Sequence, residues 1–88
     1  MGGTKAEYFR SRGFLPEVPA LLERALLEVA RDGKVVDHEA TPWGDKYHVW
    51  GRVQAPDGNA VSLATVWMVR HEEPPILITA YPQQSPFP

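Results

Sequence analysis

The chain has 88 residues, a formal net charge of −2, and hydrophobic and charged contents of 43% and 23%. That length gives a single domain spanning 1–88, because a second core has no room. The mildly acidic balance argues against a broad electrostatic hold on nucleic acid while leaving room for a local basic site. With no cysteine there is neither a disulfide framework nor a thiolate metal site. The N-terminal stretch has no apolar run of signal-peptide or membrane-span length, so a cytoplasmic protein without membrane contact is expected.

Thr4-Lys5-Ala6-Glu7 reads as a capping box that opens a short helix to about Arg12, with Gly13 suited to the left-handed position just past its end. Val18, Leu21, Leu22, Ala25, Leu26 and Val29 then recur at helical spacing, Pro16 and Pro19 sit in or before the first turn, and Gly33 stops the helix. The helical part is therefore 1–33. From Lys34 the pattern switches to period two. Strands are expected over Lys34–Ala40, Lys46–Val53, Ala60–Arg70 and Ile76–Tyr81, separated by TPWGD, APDGN and HEEPP. The sheet part is 34–82 and the proline-rich tail 83–88 is expected to be irregular. Helices followed by hairpin-linked strands predict an α+β fold: two N-terminal helices on one face of an antiparallel meander of three to four strands.

Alternate strand residues point to opposite faces. Tyr47, Val49 and Val53, with Ala64, Val66 and Met68 and with Ile76, Ile78 and Ala80, are almost wholly apolar and are assigned to the helix side. Turns centred between Asp57 and Gly58 and on Glu73 then leave Lys46, His48, Trp50, Arg52, Leu63, Thr65, Trp67, Thr79 and Tyr81 on the open face. Taken singly these are ordinary sheet residues. Gathered on one face, aromatics, hydroxyls, an imidazole and two cations form a binding surface. His48 with Arg52 or Lys46 and a tyrosine hydroxyl would serve acid/base work on a phosphodiester: a base for the 2′-hydroxyl, an acid for the leaving oxygen and a cation for the phosphorane charge. His38 and Glu39 lack zinc-helix spacing, and no dinucleotide, P-loop or nucleophile-elbow motif is present. No metal and no cofactor is expected.

The motifs G-x-K-A-x-x-F (Gly3, Lys5, Ala6, Phe9), Gly13-Phe14, G-x-K-Y (Gly44, Lys46, Tyr47), P-x-G-x-A (Pro56, Gly58, Ala60), T-V-W (Thr65 to Trp67) and I-T-A-Y-P (Ile78 to Pro82) together resemble a bacterial family of small domains of unknown function, some fused to larger secreted or phage-associated proteins. The resemblance runs from Gly3 to Pro82. The family pattern also carries an apolar segment and a histidine ahead of the glycine matching Gly3, where the present sequence starts. Lys5, Lys46, Thr65, Trp67, Thr79 and Tyr81 fall on family motifs, whereas His48 does not. More remotely, the helix-then-meander layout and the closing T-A-Y-P strand are similar to the barnase, EndoU, colicin and RelE group of ribonuclease-like toxins. That likeness implies a metal-independent ribonuclease with its site on the sheet face away from the helices.

The expectation is thus a toxin or effector domain with His48, Arg52, Thr79 and Tyr81 catalytic. Lys5, Lys46, Trp50, Thr65 and Trp67 would bind substrate, and RNA would be the partner at that local site. The alternative is a non-catalytic interaction module, antitoxin-like or immunity-like, held by a protein partner or a second copy of itself; the acidic balance and small core favour it.

Overall fold

The computed structural model describes residues 5–15 and 17–86, with side chains from residue 7 onward. The expected capping residue Thr4, Pro16 and the side chain of Lys5 lie outside the described residues. Helix α1 spans Lys5–Ser11 and α2 spans Pro19–Asp32. Strands β1 (Lys34–Thr41), β2 (Gly44–Gln54), β3 (Ala60–Val69) and β4 (Ile76–Pro82) form one antiparallel sheet in the order β1-β2-β3-β4.

The end of α1 is set by backbone hydrogen bonds. Gly13 takes φ +93°, its N–H donates to the Arg10 carbonyl at 3.0 Å, and the Phe14 N–H donates to the Phe9 carbonyl at 2.9 Å. This is the Schellman closure, and its customary apolar contact is present as the Phe9–Phe14 ring pair with centroids 5.9 Å apart. Helix α2 buries Ala25, Leu26 and Val29, the stripe read from its periodicity. Gly33 ends α2 for a different reason from Gly13. Its backbone is extended, and a Cβ there would lie 2.4 Å from the Val29 carbonyl oxygen and 2.6 Å from that of Trp50.

The core lies between the helices and one sheet face. Phe9, Phe14, Leu26 and Val29 meet Val49, Val53, Val61, Leu63 and Trp67. This overturns the expected parity of β3. The sequence places Leu63, Thr65 and Trp67 away from the helices and Ala64, Val66 and Met68 towards them. In the structure Val49 pairs with Thr65, Gly51 with Leu63 and Tyr47 with Trp67. Leu63, Thr65 and Trp67 are therefore buried on the helix side.

The cause is the β2–β3 turn. The Gly58 N–H donates to the Ala55 carbonyl at 2.9 Å, and the Ala55 N–H donates to the Asn59 carbonyl at 2.8 Å. Pro56 and Asp57 fill the central positions and Gly58 takes φ +91°. This three-residue type I turn with a left-handed glycine centres the hairpin on Asp57 and shifts the register by one relative to a two-residue loop.

A second irregularity lies between β3 and β4. Val66 pairs with Thr79, but Trp67 pairs with Leu77, which leaves Ile78 as the extra residue of a bulge. Ile76 and Ile78, expected in the core, are each 48% exposed, while Leu77 and Ala80 take the helix side. The expected loop TPWGD is a tight turn. Thr41 pairs with Gly44, and the Thr41 hydroxyl donates to the Gly44 carbonyl at 2.7 Å while accepting the Trp43 N–H.

Candidate active site on the open sheet face

Strand β2 supplies most of the open face. Its residues alternate cleanly, with Tyr47, Val49 and Val53 apolar towards the helices and Lys46, His48, Trp50 and Arg52 pointing away. Cross-strand partners extend these into rows about 4.8 Å apart per strand. One row runs Asp37, His48, Val66, Thr79; the next runs Lys34, Trp50, Ala64, Tyr81. Between the bulky ends of the second row Ala64 is a low floor.

A shallow pocket of about 270 Å³ opens over that floor, walled by Asp37, His48, Trp50, Tyr81 and Gln83. The Trp50 indole N–H donates to the Gln83 carbonyl at 2.8 Å, and the Gln83 N–H donates to the Ser62 carbonyl at 3.0 Å. The segment following β4 is thereby tied across the sheet and closes one side of the pocket.

The sequence-derived site residues divide into three groups. His48, Trp50 and Tyr81 meet in the pocket. Lys46, Arg52 and Thr79 share its face but not its lining. Lys46 lies between Glu39 and Met68, and Arg52 donates from Nε to the Ser62 hydroxyl at 3.2 Å. Thr65 and Trp67 are on the other face of the sheet, 1% and 6% exposed, where the Thr65 hydroxyl donates to the Val49 carbonyl and accepts the Trp67 indole N–H, both at 2.8 Å. Thr65, next to Ala64 on β3, is also among the residues that line the pocket. The side chain of Lys5 is outside the described residues.

Asp37 and Gln83 were not singled out from sequence. The bulge between Val35 and Asp37 resets the parity of β1 and puts Asp37 opposite His48, and no residue pattern in KVVDHEA announces it. Gln83 could be found only from the tail's contact with Trp50. Among the described residues no three His, Cys, Asp or Glu side chains converge as a metal cluster, and no helix is long and apolar enough to cross a membrane.

A family model described as Domain of unknown function (DUF6883) matches residues 1–84. The chain belongs to this family. Membership agrees with the expectation of an uncharacterised domain family and carries no assigned activity. No curated protein matches the sequence of this family member. Among solved structures it is similar to a chain of the "Contact-dependent growth inhibition toxin - immunity protein complex from Klebsiella pneumoniae 342". The TM-score is 0.79 at 17% identity, over 91% of this chain and 71% of that one. At that identity the likeness is one of fold.

Proposed function

We propose that this domain is a ribonuclease-type toxin domain that cleaves RNA on its open sheet face without a metal ion. The observation that carries the reading is the pocket that joins His48, Asp37, Trp50 and Tyr81 on a face flanked by Lys46 and Arg52. His48, paired across the β1–β2 ladder with Asp37, takes the proton of a ribose 2′-hydroxyl. The 2′-oxygen attacks phosphorus, the bond from phosphorus to the 5′-oxygen breaks, and a proton from the Tyr81 hydroxyl goes to that leaving oxygen. The products are a 2′,3′-cyclic phosphate and a free 5′-hydroxyl. Arg52 and Lys46 hold the flanking phosphates, and Trp50, in place of the buried Trp67, offers an aromatic surface to a base. The similarity in fold to a chain from a toxin–immunity complex is compatible with a toxin role and equally with an immunity role.

Purified protein incubated with mixed RNA in EDTA is expected to yield fragments ending in 2′,3′-cyclic phosphate. The rate should fall about 10²- to 10⁴-fold in His48→Ala and Tyr81→Phe. Intact RNA at high protein concentration, together with no growth inhibition on expression, would sink the reading. A second reading, a protein-interaction module, is favoured by a different surface: exposed Leu15, Leu27 and Leu77 gather around one groove on the helix side.

A further inference from the structure

The helix side of the molecule carries a groove of about 520 Å³ between α2 and the start of β4. Phe14, Leu22, Leu26 and Trp67 form its floor, and Leu15, Leu27 and Leu77 stand at its lips. The lips are 47%, 53% and 37% exposed, and Ile76 and Ile78 continue the apolar surface along β4. A surface of this kind on so small a domain marks an interaction site.

The charges nearest the groove are mainly acidic. Glu23 is the charged residue in its lining, Glu17 follows Leu15 by two positions, and Glu72 and Glu73 lie in the turn that leads into Pro75. Of the neighbouring basic residues, Arg24 lines a separate hollow with Val53 and Ala55, Arg70 donates from Nε to the Trp43 carbonyl at 2.9 Å, and the His71 ring nitrogen lies 3.9 Å from the Glu72 carboxylate. A second copy docking groove to groove would bring two such acidic rims together, which is unfavourable. We infer that the groove docks a protein segment that presents aliphatic side chains flanked by lysines or arginines. The inference rests on the interaction reading and is independent of the nuclease reading.

The test uses the full chain and three synthetic peptides: an amphipathic leucine–lysine helix, the same helix with every lysine replaced by glutamate, and a scrambled leucine–lysine peptide with no apolar face. Amide and indole chemical shifts report docking. The leucine–lysine helix is expected to move the Leu22, Leu26 and Leu77 amides and the Trp67 indole N–H. The glutamate helix and the scrambled peptide should not. Glu23→Lys and Glu73→Lys should each weaken the leucine–lysine helix about 2- to 5-fold, in keeping with exposed charge pairs, and their combination should favour the glutamate helix. Leu27→Asp, at an exposed position, should abolish docking in a folded protein. Equal binding of the lysine and glutamate helices would overturn the charge inference and leave the groove as a docking site. Failure of both helices to bind would overturn the interaction reading as well. A dimer by light scattering that Leu27→Asp dissolves would assign the groove to a second copy, against the proposal.

Discussion

Thr65 is a polar residue in an apolar layer, and its hydroxyl is fully used. It donates to the Val49 carbonyl and accepts the Trp67 indole N–H, so neither the threonine nor the tryptophan brings an unpaired polar atom into the core. Valine at 65 would keep the shape and remove both bonds, leaving the indole N–H buried without its acceptor. An orphaned buried donor costs roughly 1–3 kcal/mol, and Thr65→Val should lose about that much stability in urea. Trp67→Phe removes the donor together with part of the ring. In the double variant the hydrogen-bond loss is counted once, so a denaturation cycle should show a favourable coupling of about 1 kcal/mol between the two positions. Additive losses would show that the pair does not act as a unit.

At the scale of elements, one turn decides which face of β3 is buried. Pro56, Asp57 and Gly58 close the hairpin, and the turn also docks on the end of α1: the Asp57 N–H donates to the Arg12 carbonyl at 3.1 Å. The Asp57 carboxylate accepts the Asn59 N–H at 2.9 Å, which holds its carboxyl below the ordinary range, with the Asn59 side chain and Arg12 assisting. A depressed folded-state pKa adds stability above the unfolded value that is lost as pH falls through the folded one. The melting temperature should therefore drop on acidification below about pH 4, and the drop should be shallower in Asp57→Asn, which keeps an acceptor but carries no charge to lose. Equal slopes for the two proteins would remove Asp57 from the acid response.

The same turn shows how far the sequence is legible. Helix α2 and the alternation of β2 were readable because each has one apolar and one polar side, so His48, Trp50 and Arg52 fall on the open face without further assumptions. Strand β3 reads AVSLATVWMV, apolar on both sides, and is buried at every position from Leu63 to Trp67. Its own residues carry no parity, and only the left-handed Gly58, which adds a residue to the loop, fixes it. The Ile78 bulge and the bulge between Val35 and Asp37 escape a period-two reading for the same reason: each extra residue resets the alternation. That is why Thr65 and Trp67 separated from Thr79 and Tyr81, and why Asp37 joined the pocket unannounced.

On the scale of the whole molecule, a single sheet layer separates two surfaces of opposite character. The open face holds a polar and aromatic pocket around His48, Trp50 and Tyr81, and the helix side holds an aliphatic groove with an acidic rim. Trp67 belongs to the groove and Ala64 to the pocket floor, so β3 supplies a wall to each from adjacent turns of its pleat. Substitutions confined to opposite faces, with no shared partner, should add rather than couple. His48→Ala should slow RNA cleavage about 10²- to 10⁴-fold with the leucine–lysine helix still bound at wild-type affinity, and Leu27→Asp should lose the helix with cleavage unchanged. In the double variant both effects should appear and the stability change should equal the sum of the two single changes to within about 0.5 kcal/mol. Slower RNA cleavage in Leu27→Asp, with stability unchanged, would show that the two faces communicate through β3, and the most direct route would be the Trp67–Thr65–Val49 chain of hydrogen bonds. Thr65→Val would then have to reproduce the same loss of cleavage.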